Sequence, residues 1–137
     1  MALILSATGA DGALVEPSEA EMRAAYIDDF QKSMSAQGRL ANPGCNLAAK
    51  GCSVVLLDMR RDYRLIGFKK KTCHPVEPTG FACAFQANVS CAYSAGGKAN
   101  PYVTDIYCGP LTNKTSSFVA IFTFVQRAWV IDRFVQG

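Results

Sequence analysis

The chain has 137 residues, 50% of them hydrophobic and 18% charged, with a net charge of +3 at pH 7. Such a length suits one domain able to bury roughly two thirds of the surface its unfolded chain exposes, and the composition excludes a disordered polymer. It excludes a membrane-spanning helix as well: the longest strongly apolar run, residues 118–125, holds Thr123 and falls far short of the about 20 residues a bilayer requires.

Residues 1–16 read as a flexible N-terminal segment. Met1 to Leu5 is apolar but lacks a basic leader, and it is shorter than the apolar core of about 7–15 residues in a secretory signal. Either a leader has been removed and the protein is periplasmic or secreted, or the chain is cytosolic; cysteine usage favours export. A helix is expected over 17–38. Pro17 precedes Ser18, and Glu21 three residues on completes a capping box, each side chain reaching the other's free backbone N–H. Met22, Tyr26, Phe30 and Met34 recur every four residues with Ile27 beside them, one apolar stripe, and Gly38 ends it.

Arg39 to Ser53 reads as a loop holding Cys45 and Cys52. Ser53 to Arg64 is ambiguous: Val54, Val55, Leu56 and Leu57 suit a strand, whereas Leu56, Met59, Arg60 and Tyr63 suit a helical turn, and a short helix is preferred. From there the chain reads as an antiparallel sheet over 65–136. Ile66 to Cys73 turns through Pro75 to Gly80 into Phe81 to Tyr93, where apolar and small or polar residues alternate over thirteen positions and the odd face should meet the helix. Tyr102 to Cys108 is expected as the next strand, across Gly96-Gly97-Lys98. Ser117 to Gln126 and Ala128 to Val135 form a closing apolar hairpin. The sum is one α+β domain: a helix lying across a curved, mostly antiparallel sheet of four or five strands.

Six cysteines fall at spacings of 7, 21, 10, 8 and 17 with no Cys-x-x-Cys among them. Cys73 and Cys83 flank one turn segment, Cys91 and Cys108 the next, which suits cross-strand disulfides; Cys45–Cys52 follows by elimination, one connectivity of about fifteen. Three bridges staple the domain and suit an oxidising compartment.

Charge is uneven. Residues 1–38 hold six acids against Arg23 and Lys32, while residues 39–75 hold eight bases against Asp58 and Asp62. Arg60, Arg61, Arg64, Lys69, Lys70 and Lys71 would draw an anionic partner such as nucleic acid, lipid headgroup or polysaccharide. The plainer reading is that the lysines guard a sheet edge. Nucleic acid is disfavoured because no stacking aromatics interleave with the bases.

The capped helix, Ile66-Gly67-Phe68-Lys69-Lys70-Lys71-Thr72-Cys73, Gly80-Phe81-Ala82-Cys83-Ala84-Phe85 and the Trp129-Val130-Ile131 strand together resemble the cystatin-like and NTF2-like superfamily, and more narrowly small exported bacterial proteins of unknown function. The resemblance runs from about Ser18 to the end. It implies a helix wrapped by a strongly bent sheet with a pocket or an exposed concave face, and no particular activity, since members include enzymes, binders and inhibitors. The inhibitors' Gln-Val-Gly hairpin motif is absent, so protease inhibition is unsupported.

A pocket on that plan would use Tyr26, Phe30, Phe85, Asp105 and Trp129; an isomerase-like pairing would set Tyr26 against Asp105 or Asp132. Asp58 and Asp62 are the other acids weighed for proton transfer, and Asp132 reads as an outward strand residue. His74 is the single histidine and is expected at a turn, so no catalytic residue is assigned. No metal or cofactor is expected, the cysteine spacings matching no ligand pattern. Gly96-Gly97-Lys98 lacks a phosphate loop's context. Asn88 and Asn113 match the glycan acceptor pattern, with Asn88 a poor acceptor mid-strand. The preferred function is a non-catalytic exported binding or interaction module whose partner is an unknown protein, a small apolar ligand or a second copy in a homodimer. The alternative is a small enzyme or small-molecule binder with an apolar pocket.

Overall fold

The computed structural model describes residues 15–42, 44–100 and 104–135, with only the backbone of Asp105. Most of the expected flexible segment, and Tyr102, lie outside them. Helix α1 runs Glu19–Gln37, starting two residues later and ending one earlier than the sequence suggests. Its start is the capping box: the Glu21 N–H donates to Ser18 Oγ at 3.1 Å, and the Ser18 N–H to Glu21 Oε1 at 2.8 Å. Met22, Ala25, Tyr26 and Met34 are buried, and Ile27 and Phe30 pack half-buried against the same core.

The sheet is larger than expected. Strands β1 (Arg39–Leu40), β2 (Cys52–Leu56), β3 (Met59–Val76), β4 (Gly80–Ala95), β5 (Lys98–Ala99), β6 (Thr115–Val125) and β7 (Ala128–Phe134) form one antiparallel sheet. Its order is β1-β2-β3-β4-β6-β7, with β5 paired to the end of β4, and it curls into a half-barrel around α1. That is six or seven strands where four or five were read. The first addition is β2: Ser53 to Arg64 is no helix but a hairpin, with Val54 opposite Arg61 and Cys52 opposite Tyr63. The helical stripe required Leu56 inward, whereas it is exposed in the structure and Val54 is buried, as period-two alternation demands.

The second correction concerns residues 102–108. The side of β4 that this segment would have taken is occupied by β6, with Phe85 opposite Phe118 and Ala82 opposite Ile121. After the Gly96-Gly97 turn, whose φ angles of 60° and 79° suit glycine, only Lys98–Ala99 pairs back. Thr104–Cys108 is a short helix, α2, tied to β4 by Cys91–Cys108 and by stacking of Tyr107 on Tyr93 at 4.4 Å.

Curvature comes from β3, whose pairing with β4 breaks register between Leu65 and Gly67 and again between Lys70 and Cys73. Each extra residue bends the strand and increases its twist, which wraps the sheet around α1. The inward face then collects Phe81, Cys83, Phe85, Ala87, Val89, Cys91 and Tyr93 of β4, all buried as the alternation predicts. All three expected disulfides are present: Cys45–Cys52, Cys73–Cys83 and Cys91–Cys108.

Beyond Tyr63, no strand among the described residues lies beside the flank of β3 away from β4. The start of α1 covers it: Lys70 N–H donates to Glu19 Oε1 at 2.9 Å, and Lys70 Nζ donates to the Pro17 carbonyl at 2.7 Å and pairs with Glu16 at 2.5 Å. The three edge lysines therefore divide. Lys69 and Lys71 are exposed as expected; Lys70 points inward opposite Phe85 and is half-buried.

Candidate functional site

The space between helix and sheet is filled by aromatic rings. Phe85 lies at the centre, with ring centroids of Phe68, Phe118, Tyr26 and Phe122 at 5.1, 5.4, 5.6 and 5.9 Å. Phe30 joins through Tyr26 at 6.0 Å and Tyr63 at 5.3 Å. Of the pocket residues read from sequence, Tyr26, Phe30 and Phe85 are thus brought together, as packing partners. Trp129 belongs to a separate group with Phe81 and Phe124, at 6.0 and 5.3 Å. Its buried Nε1 has no hydrogen-bond partner among the described residues. Asp105 is on α2, and its side chain lies outside the described residues.

Burial governs the tyrosines. The Tyr26 hydroxyl is pushed up to about 12, first by desolvation and then by the Asp29 carboxylate. Tyr63 is also raised by burial, with neighbouring Arg61 opposing. Neither shift yields a proton-transfer group near neutral pH. Asp132 pairs with Arg133 on an exposed strand position, Asp62 with Arg60 at 2.7 Å, and His74 is exposed. Among the described residues, no three His, Cys, Asp or Glu side chains converge as metal ligands would, and no helix is long and apolar enough to cross a membrane.

The hollows lie around the periphery. One of about 370 Å³ sits between α1, β3 and the loop after α2, lined by Phe30, Met34, Arg61, Tyr63 and Tyr107. Three others follow the outer face of the sheet. The largest, about 630 Å³, has Lys71, Gln86 and Ser117 as its polar lining and is otherwise apolar, with Leu111, Val119 and Val135 beside the rings of Phe85, Phe118 and Phe134. The next, about 220 Å³, shares Gln86 and adds Lys69, Asn88 and Thr115. The third, about 490 Å³, takes in Lys50, Arg60, Asp62, Arg64, Ser90 and Asn113. Sequence reasoning registered these bases but not the groove, because the outward positions of β4 and β6 carry small polar residues with no motif of their own. The one available signal was their alternation with the buried set.

Of the phenylalanines of the closing hairpin's first strand, Phe122 is fully buried, while Phe118 and Phe124 pack half-buried against the core. Exposed apolar side chains near β6 are Leu111, Val119, Val125, Phe134 and Val135. Asn88 is mid-strand, and the Asn113 amide is engaged with Cys91, accepting from its N–H and donating to its carbonyl, each at 2.9 Å. Neither is a free glycan acceptor. Comparison of the chain with protein-family models, with curated proteins and with solved structures finds no match in any of the three.

Proposed function

We propose that this chain is a non-catalytic binding or interaction module, exported to the periplasm or secreted, that works through its outer surface. The observation carrying this reading is the filled interior: the rings of Tyr26, Phe68, Phe85, Phe118 and Phe122 occupy the space where a fold of this shape would hold a ligand. An enzyme site needs a convergent, partly dry cavity with matched acid and base; the acids and the histidine described here stand apart. Export is supported by three disulfides, which persist in oxidising compartments. Membership of the cystatin-like and NTF2-like superfamily is supported by one helix cradled in a curled antiparallel sheet.

A small-molecule binder is the second reading, favoured by the 370 Å³ hollow in which Tyr63 and Arg61 meet Phe30 and Met34. Amide and methyl shift mapping separates the two. A partner that perturbs Gln86, Asn88, Ser90 or Val119 supports the module. Saturable shifts confined to Phe30, Met34 and Tyr63 on adding fatty acid or a steroid would replace it with the small-molecule reading. Solution mass decides whether a second copy is the partner.

A further inference from the structure

Resting on the module reading, we propose that the outer face of β3, β4 and β6 is a groove for an extended anionic polysaccharide. Its floor is the outward set of β4, Ala84 to Ala92, eight residue steps or about 26 Å long. Depressions of about 630, 220 and 490 Å³ follow one another along that floor. The β3 wall supplies Arg60, Arg64, Lys69 and Lys71, all exposed, and Lys50 stands at the far end. One carboxylate, Asp62, lines the groove among the described residues, and Arg60 and Ser53 already engage it. The field along the groove is therefore strongly positive, although the whole chain is only +3.

The chemistry between the cations selects the class of polymer. Gln86, Asn88, Ser90, Thr115 and Ser117 offer amides and hydroxyls, groups that both donate and accept, as sugar hydroxyls do. The rings of β3, β4 and β6 that border these depressions, Tyr63, Phe68, Phe85 and Phe118, are buried or half-buried, and Phe134 of β7 is exposed at one end, so no run of exposed rings interleaves with the bases for nucleic-acid stacking. An acidic peptide is disfavoured because the backbone of β4 is already paired on both sides, with β3 and with β6, and strand addition needs a free edge.

The test is titration calorimetry of the intact, oxidised chain. The probes are oligosaccharides of polygalacturonate (carboxylates) and of heparin (sulfates), with dextran, poly-L-glutamate and phosphatidylglycerol vesicles as comparators. The expected result is saturable binding of at least one acidic saccharide that weakens between about 0.05 and 0.15 M salt as the Debye length shortens. Arg64→Ser with Lys69→Ser should weaken it by about tenfold, two charge contacts of ordinary surface strength. Lys32→Ser with Lys98→Ser, which removes the same charge elsewhere, should leave it unchanged. Lys50→Ser with Lys71→Ser provides a second pair at the groove's two ends should the first pair fold poorly. The groove assignment is overturned if no acidic saccharide binds, if dextran, poly-L-glutamate or vesicles bind as tightly, or if the control pair weakens binding as much. Binding of some other partner in the shift-mapping experiment would then leave the module standing and remove only this ligand.

Discussion

Raising the pH tests the filled interior directly, through Tyr26. Its hydroxyl is held at about 12 against an ordinary 10.0, because the phenolate would lose its water among the aromatic rings and lie near Asp29. A folded-state pKa above the unfolded one means that the fold favours the neutral phenol. The resulting stability is present in full below about pH 10 and is lost as the pH climbs toward 12. Two units correspond to about 2.7 kcal/mol in total, of which about 1.4 kcal/mol should be gone by pH 11. Urea unfolding of the wild type and of Tyr26→Phe between pH 8 and 11 isolates this contribution, since the lysines and Tyr63 titrate alike in both. Wild type should lose about 1.4 kcal/mol more than the variant over that range. Equal losses would mean that water reaches the Tyr26 hydroxyl, and the reading of a filled interior would fall with it.

Phe85→Ala should cost about 3–5 kcal/mol in the same assay, because the ring is fully buried and in contact with rings from α1, β3 and β6 that cannot all close the gap; a loss under about 1 kcal/mol would mean that the layer repacks freely. Gly51→Ala should cost about 2–4 kcal/mol. Gly51 has φ +82°, and a Cβ there would lie 2.6 Å from the Tyr63 carbonyl oxygen, in the loop closed by Cys45–Cys52. A variant with unchanged thermal midpoint would contradict that contact. Replacing both Cys91 and Cys108 by Ser should remove about 3 kcal/mol, more than the equivalent change at Cys45 and Cys52, since the closed segments span 17 and 7 residues. The reverse order in denaturant midpoints would show that native packing, not chain entropy, dominates these bridges.

Much of the fold was legible because it is written in short-range patterns. Ser18 and Glu21 are three residues apart, and both halves of their cap formed. The odd residues of Phe81–Tyr93 went inward because successive side chains of a strand alternate whatever lies beyond it. Of the disulfides, Cys73–Cys83 crosses a hairpin as expected; Cys91–Cys108 forms although Cys108 lies on a helix rather than a strand, and Cys45–Cys52 followed by elimination. The two misread segments were those whose local signals conflict. Ser53 to Arg64 satisfies both periodicities, and only pairing with β1 and the first part of β3 made it a strand. The strand expected to end at Cys108 is helical over its described part, Thr104–Cys108, and β6, seven or more residues downstream, pairs with β4 instead.

The candidate surface was legible only in part. Composition identified the bases in the middle of the chain, and alternation identified which β4 residues face outward. The bulge after Leu65 decided which lysine does what: it shifts the register so that Lys70 turns inward to Glu16 and the Pro17 carbonyl, while Lys69 and Lys71 remain outside. The sequence by itself thus determined the helix and its cap, the faces of the long central strand and the pairing of the cysteines, all set by steric and covalent rules acting within a few residues. Tertiary structure alone decided how many strands join, that aromatic rings fill the concavity, and that Arg64, Lys69 and Lys71 line one groove with residues far away in the chain, such as Val135 beside Lys71. The physical reason is that strand order and curvature depend on which distant partner wins each sheet edge, and that competition is settled by summed burial across the whole domain rather than by any local preference.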